Sequence, residues 1–171
     1  MNQFLNPQKT LSELSLKKNM VAADFGAGSG GWAIPLAKML EDGKVFAIDI
    51  MEEPLSALKS KITLEKILNL QTIKTDVEKS VSIPSWSCDL VLMTNLLFEV
   101  SDKKKVLEEG KRILTQEGRI LVIDWKKDVT LGPTEGRISS EEIKKTAKEA
   151  GLKIKKEFDV SPYHWALILV K

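Results

Sequence analysis

Residues 20–31 read MVAADFGAGSGG, a short apolar run that passes directly into a turn with glycine at 26, 28, 30 and 31. A chain built this way leaves a strand and turns in a space too confined for side chains. WAIPLAKML at 32–40 follows with helical spacing and completes a strand–turn–helix unit, Pro35 falling in or near the first turn where a missing N–H costs little. A turn at that place presents bare backbone N–H groups to a ligand. Two glycine patterns fit it. Gly26, Gly28 and Gly31 satisfy the G-x-G-x-x-G of dinucleotide-binding turns. Gly26, Gly28 and Gly30, with Asp24 two places ahead of them, satisfy a different nucleoside-binding turn.

The same alternation continues along the chain. KVFAIDI (44–50), LQTIKTDV (70–77), CDLVLMTNLL (88–97) and RILVIDW (119–125) read as further strands. Helices are predicted from Pro54, taken as the first helical position, and over 101–114, entered through Ser101. Another runs from a capping box at Ser139–Glu142 to Ala150 and stops at Gly151. Two last strands, 152–160 and 164–171, are joined by Ser161-Pro162-Tyr163, which is too short for a crossover and demands an antiparallel pair. At the other end, Thr10–Glu13 has capping-box spacing and predicts a short helix opening there and ended by Lys17-Lys18-Asn19, so that residues 1–18 form a short N-terminal helical segment. Strand and helix alternating five times imply an α/β three-layer sandwich, with a mostly parallel sheet and helices on both faces.

Composition narrows the class. A chain of 171 residues, 43% hydrophobic and 29% charged, suits a single domain spanning 1–171 with its own core. A net charge of +2 gives no field that points to nucleic acid. The one cysteine, Cys88, has no partner for a disulfide or a cysteine-rich metal site, so it is expected buried and inert and no metal is expected. The amino terminus lacks the apolar core of a signal peptide, and no run approaches the ~20 apolar residues that cross a bilayer. A cytoplasmic protein without a membrane span is expected.

Ligands of such sheets bind beyond the carboxyl ends of the strands. Those ends carry Asp49, a carboxylate suited to a ribose diol, then Asp76, which could accept from an exocyclic amine, then Asn95, both donor and acceptor. A pyrophosphate over the glycines would be crowded by Asp24, whereas an ammonium and a sulfonium would be attracted to it. The motifs D-F-G-A-G-S-G (24–30), AIDI, TDV (75–77), CDLVLMTNLL, RILTQEGRILVIDW (112–125) and the terminal strand pair, in this order, resemble the class I S-adenosylmethionine-dependent methyltransferases. The resemblance runs from about residue 18 to the end and is nearest to small quinone-biosynthesis and arsenite-methylating enzymes. The single cysteine departs from arsenite chemistry.

The resemblance implies a seven-stranded sheet whose reversed last strand inserts beside strand five. It implies S-adenosyl-L-methionine as cofactor, with Gly26, Ala27, Gly28 and Gly30 along its methionine portion and Asp24 nearby. Asp49 would hold the ribose, Ile50 pack on the adenine, Asp76 and Val77 meet the adenine edge, and Asn95 with Leu96 close over the amino-acid tail. Phe98, Trp125 and Lys126 follow strands four and five and are candidates for the acceptor pocket; Asp124 and His164 are the candidate general bases on position. Lys126 and Lys127 could steer an anionic acceptor or RNA, but no nucleic-acid motif accompanies them, and a small-molecule acceptor is favoured. With so little chain to form a lid, the site is either open to a large acceptor (RNA or protein) or closed by a second copy in a homodimer. Two rivals remain: an NAD(P)-dependent oxidoreductase and a non-catalytic nucleoside-binding subunit.

Overall fold

The structure is a computed structural model that describes residues 4–171. In chain order its elements are α1 (Pro7–Ser12), β1 (Val21–Phe25), α2 (Ala33–Met39), β2 (Lys44–Asp49), α3 (Glu52–Leu64), β3 (Leu70–Lys74), β4 (Cys88–Thr94), α4 (Lys103–Ile113), β5 (Leu114–Trp125), α5 (Ser140–Glu149), β6 (Lys153–Ser161) and β7 (His164–Val170). The strands form one sheet in the order β3-β2-β1-β4-β5-β7-β6. All pairings are parallel except those of β7, which runs antiparallel to both β5 and β6. The reversed last strand therefore lies beside the fifth, as the resemblance implies.

Strand periodicity divides the core into two layers. On one face Ala22, Leu90 and Leu92 meet Leu11 of α1, Leu36 of α2, and Leu55 and Leu58 of α3. On the other, Ala23, Phe25, Val91 and Met93 meet Val106 and Leu107 of α4, and Ile143 and Ala147 of α5. Leu90 to Met93 are wholly buried because β4 is covered on both sides. Each such aliphatic side chain contributes about 2 kcal/mol by leaving water. Cys88 belongs to this core, and burial pushes its thiol up to about 11, so it stays protonated.

Several boundaries differ from expectation for local reasons. The helix expected to open at Thr10 instead spans Pro7–Ser12 and ends where the expected one would begin: Asn6 is its cap, accepting the Lys9 N–H at 3.0 Å, Pro7 opens it, and Thr10 is buried inside. Pro54 is the third residue of α3 rather than the first, still within the turn whose N–H groups lack helical partners. Helix α4 is capped by Asp102, not Ser101, through the Lys105 N–H at 3.1 Å. The capping box of α5 is present in both directions, with Glu142 N–H to Ser139 Oγ at 3.3 Å and Ser139 N–H to Glu142 Oε2 at 2.9 Å. The alternation lapses once. Residues 75–87 join β3 to β4 without an α-helix and fill that side of the core with Val77, Val81 and Ile83.

The strand order reverses between β1 and β4, since the chain builds β2 and β3 on one side of β1 before crossing to the other. A crevice opens at the carboxyl ends of the strands beside such a reversal. The glycine turn and the loop after β4 are its walls.

Candidate functional site

Beyond Phe25 the chain folds back onto β2. The N–H groups of Gly26 and Ala27 both donate to the Ile48 carbonyl, at 2.8 and 2.9 Å, and the Gly30 N–H donates to Ala27 at 2.9 Å. Gly26, Gly28 and Gly30 hold φ of +74°, +52° and +88°, the left-handed region that favours glycine; Gly31 is not in it, and the space around Gly31 is open. The backbone thus requires glycine in the 26-28-30 pattern, and the third glycine of the dinucleotide pattern has no such requirement. Asp49 locks the turn: Oδ2 accepts the Gly28 N–H at 2.8 Å and Oδ1 the Met51 N–H at 2.9 Å.

A cleft of about 280 Å³ opens in front of this turn. Gly26, Asp49, Ile50, Asp76, Val77, Asn95 and Leu96, contributed by the ends of β1, β2, β3 and β4, all line it. Ala27, Gly28 and Gly30 shape the turn without lining the cleft. Two acids that sequence reasoning missed, Glu78 and Glu99, join Asp49 and Asp76 in the lining, which contains no lysine or arginine. Met51, Thr75 and Val100 were missed as well. Among the described residues no group of three or more His, Cys, Asp or Glu side chains is placed to hold a metal ion.

Two buried polar groups at this edge lack partners. Asn95 has φ +50°, strained for a side-chain-bearing residue, and its Oδ1 is buried with nothing donating to it. Asp24 is buried beneath the turn, and neither carboxyl oxygen makes a hydrogen bond of proper geometry. Burial first, then the charge of Asp49, push its pKa up to about 8, while the nearby Ala33 N–H favours the ionised form. Without a ligand, burial thus favours the protonated form of Asp24 at neutral pH.

The acceptor-side candidates lie elsewhere. Neither Asp124 nor His164, nor Phe98, Trp125 or Lys126, lines the cleft. Asp124 is wholly buried, accepts the Trp125 N–H at 2.8 Å and the Phe98 N–H at 3.2 Å, and so clamps the loop that follows β4. Burial pushes its pKa up to about 6 against the pull of those donors. Asp124→Ala, by stranding both N–H groups, is expected to cost about 2 kcal/mol in urea denaturation.

His164, at the start of β7, packs on Trp125 with ring centroids 4.0 Å apart, and its Nδ1 lies 2.9 Å from Ser161 Oγ. Burial and then the charge of Lys126 lower the imidazole to about 4, and the buried Nε2 has no partner. Lys126 pairs with Asp159 at 2.7 Å and Lys127 with Glu142 at 2.5 Å, so neither ammonium stands free to steer an anion.

The loop after β5 is more structured than its length suggests. The Arg137 guanidinium donates to the carbonyls of Pro133 at 2.6 Å and Leu131 at 2.8 Å, and also to Val129. The Trp165 indole N–H joins the loop's two ends by donating to Trp125 and Ile138 carbonyls at 3.2 and 3.1 Å. Loop residues press on both aromatic candidates: a Cβ on Gly132 would lie 2.5 Å from the Trp125 ring, and one on Gly136 would lie 2.9 Å from the Phe98 carbonyl. This wall belongs to the chain itself. A guanidinium wrapped in carbonyls leaves no local sequence pattern, which is why Arg137 was not foreseen.

Comparisons with known proteins agree with this geometry. A methyltransferase domain family profile matches residues 16–160. A crystal structure of a SAM dependent methyltransferase from Aquifex aeolicus superimposes with a TM-score of 0.91 at 30% identity, covering 98% of this chain and 90% of that one. Among curated proteins, a ubiquinone/menaquinone biosynthesis C-methyltransferase of Francisella tularensis subsp. novicida is 27% identical over 71% of this chain and 49% of its own length. A demethylmenaquinone methyltransferase of Bacillus mycoides is 25% identical over 77% of this chain and 55% of its own. The chain thus spans about half the length of the curated relatives it matches. With its profile matched across most of the sequence and its fold shared almost end to end, the chain belongs to the methyltransferase domain family.

Proposed function

We propose that this methyltransferase domain takes its methyl group from S-adenosylmethionine bound in the cleft and passes it to a small planar acceptor. The observation that carries the reading is the lining itself: four carboxylates and no cation. Such a surface repels a diphosphate and attracts a ligand bearing an ammonium and a sulfonium. The unpartnered Asn95 Oδ1 suits the ammonium, the remaining lone pairs of Asp49 suit a ribose diol, and Ile50 with Val77 offers apolar walls to an adenine. Asp76 Oδ1 already accepts the Glu78 N–H at 2.9 Å, and Oδ2, 3.6 Å from the exposed Lys79 ammonium, keeps lone pairs for an exocyclic amine.

When bound, the cofactor supplies a methyl carbon on a positively charged sulfur, already activated toward displacement. The chain's contribution is alignment and exclusion of water. Asp124 holds the loop that carries Phe98, and the Arg137-centred loop rests on Trp125 and Phe98 as a wall. His164, 2% exposed with its Nε2 buried, packs behind Trp125 and supports that wall. The relatives named for quinone biosynthesis support a small-molecule acceptor with a ring. Among the described residues no helix is long and apolar enough to cross a membrane.

Calorimetric titration with S-adenosylhomocysteine and, separately, NADH tests the donor assignment. Stoichiometric binding of the first and none of the second is expected. Binding of NADH alone would move the chain to the oxidoreductase reading.

A further inference from the structure

The corner of the molecule opposite the cleft, at the amino ends of β4 and β5, carries a second feature. Trp86 is 60% exposed, yet its backbone has φ +62°, a conformation costly for a bulky side chain. Hydrogen bonds hold it there: the Trp86 N–H donates to Arg112 at 3.2 Å and the Ser87 N–H to Ile113 at 2.8 Å. The fold thus maintains a strained backbone to display a ring that it does not bury. Strain of this kind points from structure toward function.

The ring's neighbours are cationic. Lys171 Nζ lies 3.3 Å from the ring centroid. Burial and the charge of Lys111 together push the Lys171 ammonium below its ordinary value, so the two cations crowd each other. Of the acids close by, Glu109 pairs with Arg112 at 2.7 Å and Glu108, at the cleft's edge, with Lys104 at 3.7 Å. Lys111 donates to the Ala150 carbonyl at 3.1 Å and Lys171 to that of Leu114 at 2.5 Å, and among the described residues neither has a carboxylate partner. Ser85, Trp86, Glu108, Lys111, Arg112 and Lys171 line a cleft of about 260 Å³. An anion would relieve the crowding, and a flat ring would cover the exposed indole.

We propose that this corner binds a nucleotide unit, its base stacked on Trp86 and its phosphate between Lys111 and Lys171. The site is separate from the methyl-transfer cleft and does not rest on the function proposed for it. The same chemistry is offered by a free mononucleotide and by a single-stranded polynucleotide.

Calorimetry of the full chain with UMP and with an octamer of uridylate, each with and without S-adenosylhomocysteine, tests the proposal and separates the two sources. Uridine keeps the probe away from a cleft shaped for adenine. Saturable UMP binding, unaffected by S-adenosylhomocysteine, is expected. Trp86→Gly and Lys111→Glu should each weaken it about tenfold or more, the usual scale for losing one base stack. Trp86→Gly removes the ring at a backbone angle that suits glycine, so this variant stays folded. An octamer that binds much more tightly than UMP, with affinity falling steeply in salt, identifies a polynucleotide; equal affinities identify a free nucleotide. Absence of saturable binding by either probe overturns the proposal. Loss in Lys111→Glu without loss in Trp86→Gly also overturns it, because the ring would then play no part.

Discussion

Replacing Asp49 with alanine is expected to weaken S-adenosylhomocysteine binding by about two orders of magnitude while the sheet stays folded. The carboxylate has two duties. Its oxygens hold the Gly28 and Met51 N–H groups at 2.8 and 2.9 Å, fixing the glycine turn against the start of α3. It also lines the cleft, with lone pairs left over for a ligand's hydroxyls. Hydrogen bonds to a charged group are worth about 1.5–3 kcal/mol each, and 1.4 kcal/mol is a factor of ten in affinity. Loss of two such bonds to a ligand gives a hundredfold or more, before any loosening of the turn is counted. Asp49→Asn should fall between, because an amide has one acceptor oxygen and cannot serve both N–H groups.

The fold tolerates the change because the adjacent Ala47 and Ile48 carry the burial of β2. Calorimetry with S-adenosylhomocysteine, paired with thermal melting, reads both effects. An alanine variant that binds within a factor of three of the parent would place the nucleoside elsewhere.

What made Asp49 legible is that its place is set by backbone rules alone. An apolar strand, a glycine turn, a helix and a second strand fix where the second strand must end, and the acid stands at that end. Asp76 and Asn95 are legible the same way, as residues just past β3 and β4, while Leu96 comes from the family resemblance. Glu78 and Glu99 are not, since they sit in irregular segments where no periodicity says which side chains turn inward. The missing helix between β3 and β4 has the same origin: Val77, Val81 and Ile83 are apolar and spaced irregularly, and only the folded core shows that they fill one side of the sheet. Asn6-Pro7 was a readable cap and first turn, overshadowed by the Thr10–Glu13 spacing.

Position identified where Asp124 and Asp24 lie but not their state. Whether a carboxylate is free, clamped or protonated depends on burial and on donors from distant strands. The Phe98 N–H that engages Asp124 is 26 residues away. The protonation of Asp24 follows from the same limit. It also yields the other large expected effect.

The ligand-free parent should lose stability as pH rises from about 6.5 to about 8, and Asp24→Asn should lack that loss. The Asp24 pKa is raised to about 8 in the folded protein, by burial and then by Asp49, whereas an unfolded aspartate titrates near 3.9. Between those values the folded state keeps a proton that the unfolded state has released. A raised pKa therefore gives a contribution that is whole below the unfolded value and gone once pH passes about 8, declining by about 1.4 kcal/mol per pH unit between them. Other groups overlap the lower part of this range. Asp124, raised to about 6, declines likewise up to that pH, and His164, lowered to about 4, has the opposite slope up to about 6.5.

The interval from 6.5 to 8 thus belongs to Asp24 among these three, and melting curves of parent and variant across it isolate the effect. Binding should run the other way. A cationic ligand favours the ionised carboxylate, so the parent's affinity for S-adenosylmethionine should gain on that of Asp24→Asn as pH climbs toward 8, the ligand's own titration cancelling in the comparison. Parallel stability profiles in the two proteins would mean that Asp24 is solvated or partnered in solution. The buried, unpaired carboxyl would then no longer be available to answer a positive charge above the glycine turn.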